Sequence, residues 1–194
     1  GDLIGSNASA AGALGVLSST LLVDAGAAGN GLVKITSADA IDLRALDTTG
    51  SGAVAITTTH SSDTADDITI GATISNAGTG ALTLTANDDI DIANALTHAG
   101  DITLTANGAG TNAGNLYGAA VVTATSKALT LEGDLIGSNA SAAGALGIAS
   151  GTLVVDSDAS ANGATKLTSA SAITVTSIDA ENGDGAGDLT LTTM

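Results

Sequence analysis

The stretch ALTLTANDDIDIANALTHAGDITLTA, residues 81–106, decides the fold. Leu82 and Leu84, then Ile90 and Ile92, then Ala95 and Leu96 supply paired apolar residues, and Ile102 and Leu104 restart the series about twenty residues after the first pair. Successive side chains on a strand point to opposite sides, so Leu82 and Leu84 share one face while Thr83 and Thr85 share the other. Residues 89–93 repeat the arrangement, with Ile90 and Ile92 expected inward and the carboxylates of Asp89 and Asp91 outward. The Ala-Asn-Asp between the two pairs is corner chemistry, because Asn and Asp bond their own backbone in turns and tolerate positive φ. Three short strands then close one coil, and the next coil stacks on it in parallel at roughly 4.8 Å. A single coil buries too few side chains to offset the entropy of ordering its chain, so neighbouring coils are compulsory.

The same pairs can be followed outward in both directions. Before the central coil come Leu21/Val23, Val33/Ile35, Ile41/Leu43, Val54/Ile56 and Ile68/Ile70; after it come Val121 or Val122, Leu129/Leu131, Leu153/Val155, Ile173/Val175 and Leu189/Leu191. The expected fold is therefore all-β, a parallel β-helix or β-solenoid, with rungs of about 20 residues. About ten such rungs would make a rod roughly 45–50 Å long. The segments 5–15, 137–147 and 107–120 read as outward loops or irregular corners, and Asn-Gly at 30–31, 107–108, 162–163 and 182–183 reads as tight turns. Gly12 and the lack of an apolar stripe argue against a short helix over Ala8–Leu14.

A second, longer period is superposed. Residues 1–15, GDLIGSNASAAGALG, return unchanged at 133–147, and about thirty identities connect 1–47 with 133–179. Farther on the register slips by three, with GSGAVAIT at 50–57 answering GAGDLTLT at 185–192. The chain reads as one continuous solenoid segment, 1–194, holding about one and a half copies of a unit of ~132 residues, 1–132 and 133–194, each unit made of six or seven rungs.

Composition supports a thin layered core. The chain has 194 residues, no Phe, Trp, Pro or Cys, one Tyr and 26 Gly, so a core built on aromatics is excluded and Ala, Leu, Ile and Val must fill it. The regular apolar pairs and the absence of Pro argue against a disordered polar chain. A net charge of −16 from 20 acidic and 4 basic residues argues against nucleic acid and anionic membranes as partners and should attract divalent cations. No apolar run reaches the ~18 residues of a membrane span, so no membrane insertion is expected. No signal-like start is present, and the opening inside a pattern suggests a piece of something longer. Without cysteine no disulfide supports the rod.

The central pattern resembles the repeats of filamentous-haemagglutinin-like adhesins, the large exoproteins of two-partner secretion, and related giant bacterial surface proteins. Gly100-Asp101-Ile102-Thr103-Leu104-Thr105-Ala106 matches the G-D-I-x-L-x-A of that repeat, and Leu82–Ala86 and Ile90–Ala93 match it too. The resemblance is sharp over 66–106 and loose elsewhere. It implies a right-handed parallel β-helix, export to the extracellular space or bacterial cell surface, and a role as adhesin, stalk or fibre, with a cell-surface or polysaccharide ligand. It brings no catalytic residues. The scarcity of aromatics and the unchanged fifteen-residue repeat point to a spacer or shaft more than a recognition tip.

Candidate sites are few. Acidic clusters lie at Asp63/Asp66/Asp67, at Asp88/Asp89/Asp91 and at Asp179/Glu181/Asp184/Asp188. The last is the candidate calcium site, yet it matches neither the helix–loop–helix pattern nor the glycine-rich nonapeptide, so outward solvated carboxylates are the plainer expectation and no cofactor is required. T-x-T at 83/85, 103/105, 174/176 and 190/192 would stack hydroxyls into a flat ladder of the kind ice-binding solenoids present, although outward Thr is ordinary in strands. Asn7 and Asn139 head N-x-S sequons in identical positions, candidates for glycosylation. His60 and His98 have no metal-motif or nucleophile–base spacing and are expected on the surface. Tyr117 reads as an anchor for its loop. A lyase cleft would need basic residues, and only Lys34, Arg44, Lys127 and Lys166 exist, so no enzyme is expected. Structural shaft and ligand-binding module are the two readings, and free edges at the two ends of a solenoid would allow self-association end to end or laterally.

Overall fold

The computed structural model describes residues 4, 12–17, 19–25, 32–59, 66–106, 114–137, 144–157, 165–179 and 189–193. Among them every regular element is a β-strand, and every strand pairing is parallel. The strands stack on three faces. The first face carries Val33–Ser37, Val54–Thr58, Leu82–Ala86, Ile102–Ala106, residues 129–133, residues 152–156 and Thr174–Asp179 in that order. The second carries Thr20–Ala25, Ile41–Thr48, Ile68–Ile70, Ile90–Asp91, Asn115–Tyr117 and Leu135–Ile136. The third carries Ile74–Asn76, Leu96–His98, residues 122–124, residues 146–150, Thr165–Ser169 and Leu189–Thr193. Val121–Gly133 and Leu146–Asp156 each turn a corner and serve two faces, which joins the first and third into one sheet.

Residues 81–106 form the coil that their pattern implies. Leu82 pairs with Ile102 and Leu84 with Leu104, so this turn closes in 20 residues. The other turns do not share that length. From Val54 to Leu82 is 28 residues and from Ile102 to Leu129 is 27, because corners carry insertions while the strands keep their register. Six turns therefore separate Val33 from its counterpart Val175, not the larger number that uniform 20-residue rungs would give, and at about 4.8 Å per turn they span about 29 Å.

The core is a set of columns one side chain wide. On the first face Val33, Val54, Leu82, Ile102, Leu129 and Leu153 form one column, and Ile35, Ile56, Leu84, Leu104, Leu131 and Val155 form the next; all are buried. Ile41, Ile68, Ile90, Leu116 and Ile136 run down the second face. The third face holds Ile74, Leu96, Val122 and Ile148, which settles the choice at 121/122: Val122 points inward and Val121 is exposed. Branched aliphatic side chains of similar volume repeat at each level, and this lets close packing be met without aromatics. Part of the segment read as a loop at 107–120 is strand, since Asn115–Tyr117 continues the second face with Leu116 buried. Leu14 lies in strand Leu14–Val16; the Asn-Gly turns and most of 5–15 and 137–147 lie outside the described residues.

Glycine and aspartate at the corner before the first face have a geometric reason. A Cβ at Gly100 would sit 2.1 Å from the Gly80 carbonyl oxygen of the coil below, and a Cβ at Gly80 would sit 2.1 Å from the Gly52 oxygen. Backbone meets backbone there, so only glycine fits. Asp101 follows, and its Oδ1 accepts the Ala128 N–H of the next coil at 3.0 Å.

The long repeat keeps its strand registers but not its face. Leu14 pairs with Ile35 and Gly15 with Thr36; 132 residues later Leu146 pairs with Leu167 and Gly147 with Thr168. Leu21–Leu43 and Leu22–Ala45 flank an irregularity that recurs between Leu153–Val175 and Val154–Ser177. Yet Val33–Ser37 lies on the first face and Thr165–Ser169 on the third. One unit thus advances the coil by five turns and two of the three faces.

Candidate functional site

Several inward positions hold polar side chains, Ser37, Thr58, Thr165 and Ser169 among them, and at one place three such residues bond to one another. The third-face column continues from the apolar Ile74 and Leu96 to Asn76 and His98, which are two residues farther along the same strands and so share their inward side. Thr48, Asn76 and His98 are all buried. Thr48 N–H donates to Asn76 Oδ1 at 2.8 Å, which fixes the amide's orientation, and Asn76 Nδ2 then donates to Thr48 Oγ1 at 2.9 Å and to His98 Nδ1 at 3.0 Å. His98 Nε2 lies 2.7 Å from the Gly80 carbonyl oxygen, an acceptor only. The imidazole is therefore the neutral Nε2–H tautomer, with Nδ1 accepting. Burial lowers its pKa, an effect that the Gly80 bond and Asp101 oppose. The expectation of a surface histidine is wrong for His98, only 1% exposed; the signal for burial was its two-residue spacing from the inward Leu96. His60 lies outside the described residues.

The acidic residues of the second-face corner are not freely solvated either. Asp89 N–H donates to Asp67 Oδ1 at 3.1 Å, and Asn115 donates to Asp89 Oδ1 from its backbone N–H at 2.7 Å and from Nδ2 at 2.9 Å. Each carboxylate thus satisfies backbone of the coil above it. Asp66 is buried, with its carbonyl bonded by the Thr58 hydroxyl and its carboxylate approached by Asn87 Nδ2 at 3.5 Å. Burial, first, and then the neighbouring charge of Asp88 and Asp67 push the Asp89 pKa up to about 6 against backbone hydrogen bonding from Asn115. Asp67 is raised by burial and by Asp88, Asp66 and Asp91, opposed by the Asp89 bond, and Asp91 is raised by burial alone. Asp91 keeps the outward side that alternation gives it, but the solvated part of the reading is corrected: Asp67, Asp89 and Asp91 are partly buried, and Asp67 and Asp89 accept bonds from the next coil.

For the calcium candidate, Asp179 ends strand Thr174–Asp179, exposed and in register with Asp156. Glu181, Asp184 and Asp188 lie outside the described residues, as do Asp63 and the sequon residues Asn7 and Asn139. Among the described residues no three His, Cys, Asp or Glu side chains are grouped to hold a metal ion.

The threonines do come into register. Thr36, Thr57, Thr85 and Thr105 form one outward column on the first face, ended by Glu132, whose carboxylate accepts the Thr105 hydroxyl at 2.8 Å. Thr83, Thr103 and Thr130 form the adjacent column, preceded by Lys34 and Ala55. Beyond Val154 and Asp156 the two columns continue to Ser177 and Asp179; Thr174 is in register with Thr152 and Thr176 sits at the irregularity, so neither extends them, and Thr190/Thr192 lie on the third face. Tyr117 sits on the outward side of the second face in register with Asp91. A shallow groove of about 350 Å³ opens where residues 125–127 face the single Gly151; its polar lining is hydroxyls of Thr123, Thr125, Ser126, Ser150 and Ser171. Comparison adds no relative to these observations: the chain matches no known protein family, no curated protein and no solved structure.

Proposed function

We propose that the chain is a structural rod segment of an exported, tandemly repeated surface protein, a shaft or stalk of the filamentous-haemagglutinin-like kind that residues 100–106 resemble. The observation that carries this reading is the pair of first-face columns from Val33 to Leu153 and from Ile35 to Val155. They run coil after coil with no break, so load along the axis meets the same packing at each level. The acidic exterior keeps rods apart in dilute salt, and divalent cations such as calcium bridge them without a built site. The test is single-molecule stretching of the chain together with electron microscopy in calcium and in chelator. A shaft resists to a definite force and yields coil by coil, and keeps its rod outline in both solutions; extension at negligible force, or a rod that collapses in chelator, would refute it.

The register of Thr36, Thr57, Thr85 and Thr105 favours a second reading, a flat hydroxyl face that orders water or binds a ligand. Thermal hysteresis and inhibition of ice recrystallisation, compared with a Thr85→Tyr variant, test it. Equal inactivity of both proteins ends that reading in its ice-binding form.

A further inference from the structure

The long repeat places one sequence in two surroundings. Leu14 and Leu146 occupy equivalent positions in the unchanged fifteen residues, yet Leu14 is 47% exposed and Leu146 is fully buried. The difference lies in what covers them. Among the described residues strand Leu14–Val16 pairs on one side only, with 35–37, whereas its repeat pairs with 167–169 on one side and, through Gly147 and Ile148, with Val121 and Val122 on the other. The opposite edge of the described residues behaves alike. Val175 and Ile178 are 39% and 38% exposed on Thr174–Asp179, and among the described residues that strand pairs only with 152–156. Their equivalents one unit earlier, Leu43 and Leu46, are buried. Both edges of the described residues are therefore built from sequence that elsewhere in this chain accepts another coil.

The two edges also match each other. Ile4 tops the column of Val33, and Leu14 tops that of Ile35. At the far end Val175 continues the first of these columns through Leu153, and Ile178 continues the second through Val155. From this we infer that the edge of Ile4 and Leu14–Val16 is a docking surface for the Thr174–Asp179 edge of a second copy of the chain, strand on strand and parallel, with Ile4 over Val175 and Leu14 over Ile178. The contact deepens the rod reading by naming its partner: rods join end to end through the first face. Asp179 and the net charge of −16 oppose approach, so the association strengthens with salt, as screening shortens to about 8 Å at 0.15 M.

The chain has no cysteine, so an introduced pair reports alone. Leu14→Cys/Ile178→Cys under mild oxidation should give a ladder of disulfide-linked multimers that lengthens with protein and salt concentration, since adjacent strands lie about 4.8 Å apart, within disulfide reach. Each single variant should stop at dimers, and Thr36→Cys/Thr168→Cys, on the sides of the rod, should not form the ladder. The cysteine-free chain should sediment as salt-dependent multimers that Val175→Lys, at an exposed edge position and checked by circular dichroism, returns to monomer. A chain that stays monomeric at high salt, a ladder no stronger than the side control, or multimers indifferent to Val175→Lys would each overturn the inference. Dispersed rods that still resist stretching would overturn it while leaving the shaft intact.

Discussion

His98 Nδ1 accepts a hydrogen bond from Asn76 Nδ2 at 3.0 Å, inside the coil, and the same amide is held the other way round by Thr48 N–H. A proton added at Nδ1 would face a donor, and the amide could turn to receive it only by giving up the Thr48 bond. Burial depresses the folded-state pKa, and this geometry acts in the same direction, while the unfolded chain titrates near 6.5. A base that binds its proton less well when folded contributes stability above the unfolded pKa and loses it as pH falls. The expected outcome is that His98, followed by imidazole NMR, titrates below the ordinary 6.5 and shows the Nε2–H tautomer at pH 7. His98→Ala should cost about 2–5 kcal/mol in denaturant unfolding, since it opens a cavity and removes one of the two acceptors of Asn76 Nδ2 and the ring N–H bonded to the Gly80 carbonyl.

Asp89 acts with the opposite sign. Its pKa stands at about 6 in the fold against an ordinary 3.8, so the folded state binds the proton more tightly than the unfolded state. Stability from this group grows as pH falls from 7 through 6 toward 4. Asp89→Asn keeps an oxygen for the Asn115 N–H and removes the charge, so at pH 7.5 it should stabilise by about 1 kcal/mol after allowance for solvent screening. Between pH 7 and 5 the two groups compete. The melting temperature of Asp89→Asn should fall more steeply with acid than that of the parent, and that of His98→Gln should rise. Parallel profiles for all three proteins would refute both assignments.

Which parts of this were legible depended on what each residue's position averages over. The inward columns were legible because Leu82/Leu84 and Ile102/Leu104 state period two and period twenty at once, and parallel pairing then follows. Turn number was not, because corner insertions such as the one between Thr58 and Ile68 leave no apolar mark and change spacing without changing register. The T-x-T motifs indicated outward threonines, but their face could be assigned only from pairing, which separates 83/85 and 103/105 from 190/192. Asp89 reads as solvent-facing by alternation. Its burial comes from the coil above, whose Asn115 arrives 26 residues later.

Burial depth along the rod predicts a gradient of mutational cost. Leu84 is fully enclosed between Ile56 and Leu104 in the middle of its column, so Leu84→Ala should lose about 2–5 kcal/mol. Val175→Ala, at the partly exposed edge of the same face, should lose less than about 1 kcal/mol in dilute monomer. Urea unfolding at low protein concentration checks both. Equal costs would mean that the edge is covered even there.

The last prediction concerns the glycine of the Gly100-Asp101-Ile102 motif. At Gly100 the Gly80 carbonyl oxygen lies 2.1 Å from an added Cβ, and His98 Nε2 lies 2.8 Å from it. The oxygen is the same one that accepts the His98 N–H, so a methyl group there cannot be accommodated without spreading two coils or breaking the buried column. Gly100→Ala should cost about 3 kcal/mol or more, beyond the usual gain from reduced chain entropy. Gly15→Ala is the control. Nothing lies within 4 Å of a Cβ built at Gly15, and the residue sits in strand Leu14–Val16, so alanine should be neutral or stabilise by about 0.4–1 kcal/mol. Thermal unfolding of the two variants separates steric need from mere composition. If both cost alike, the glycine of the motif answers to chain flexibility; if only Gly100→Ala does, it answers to the carbonyl of the coil below.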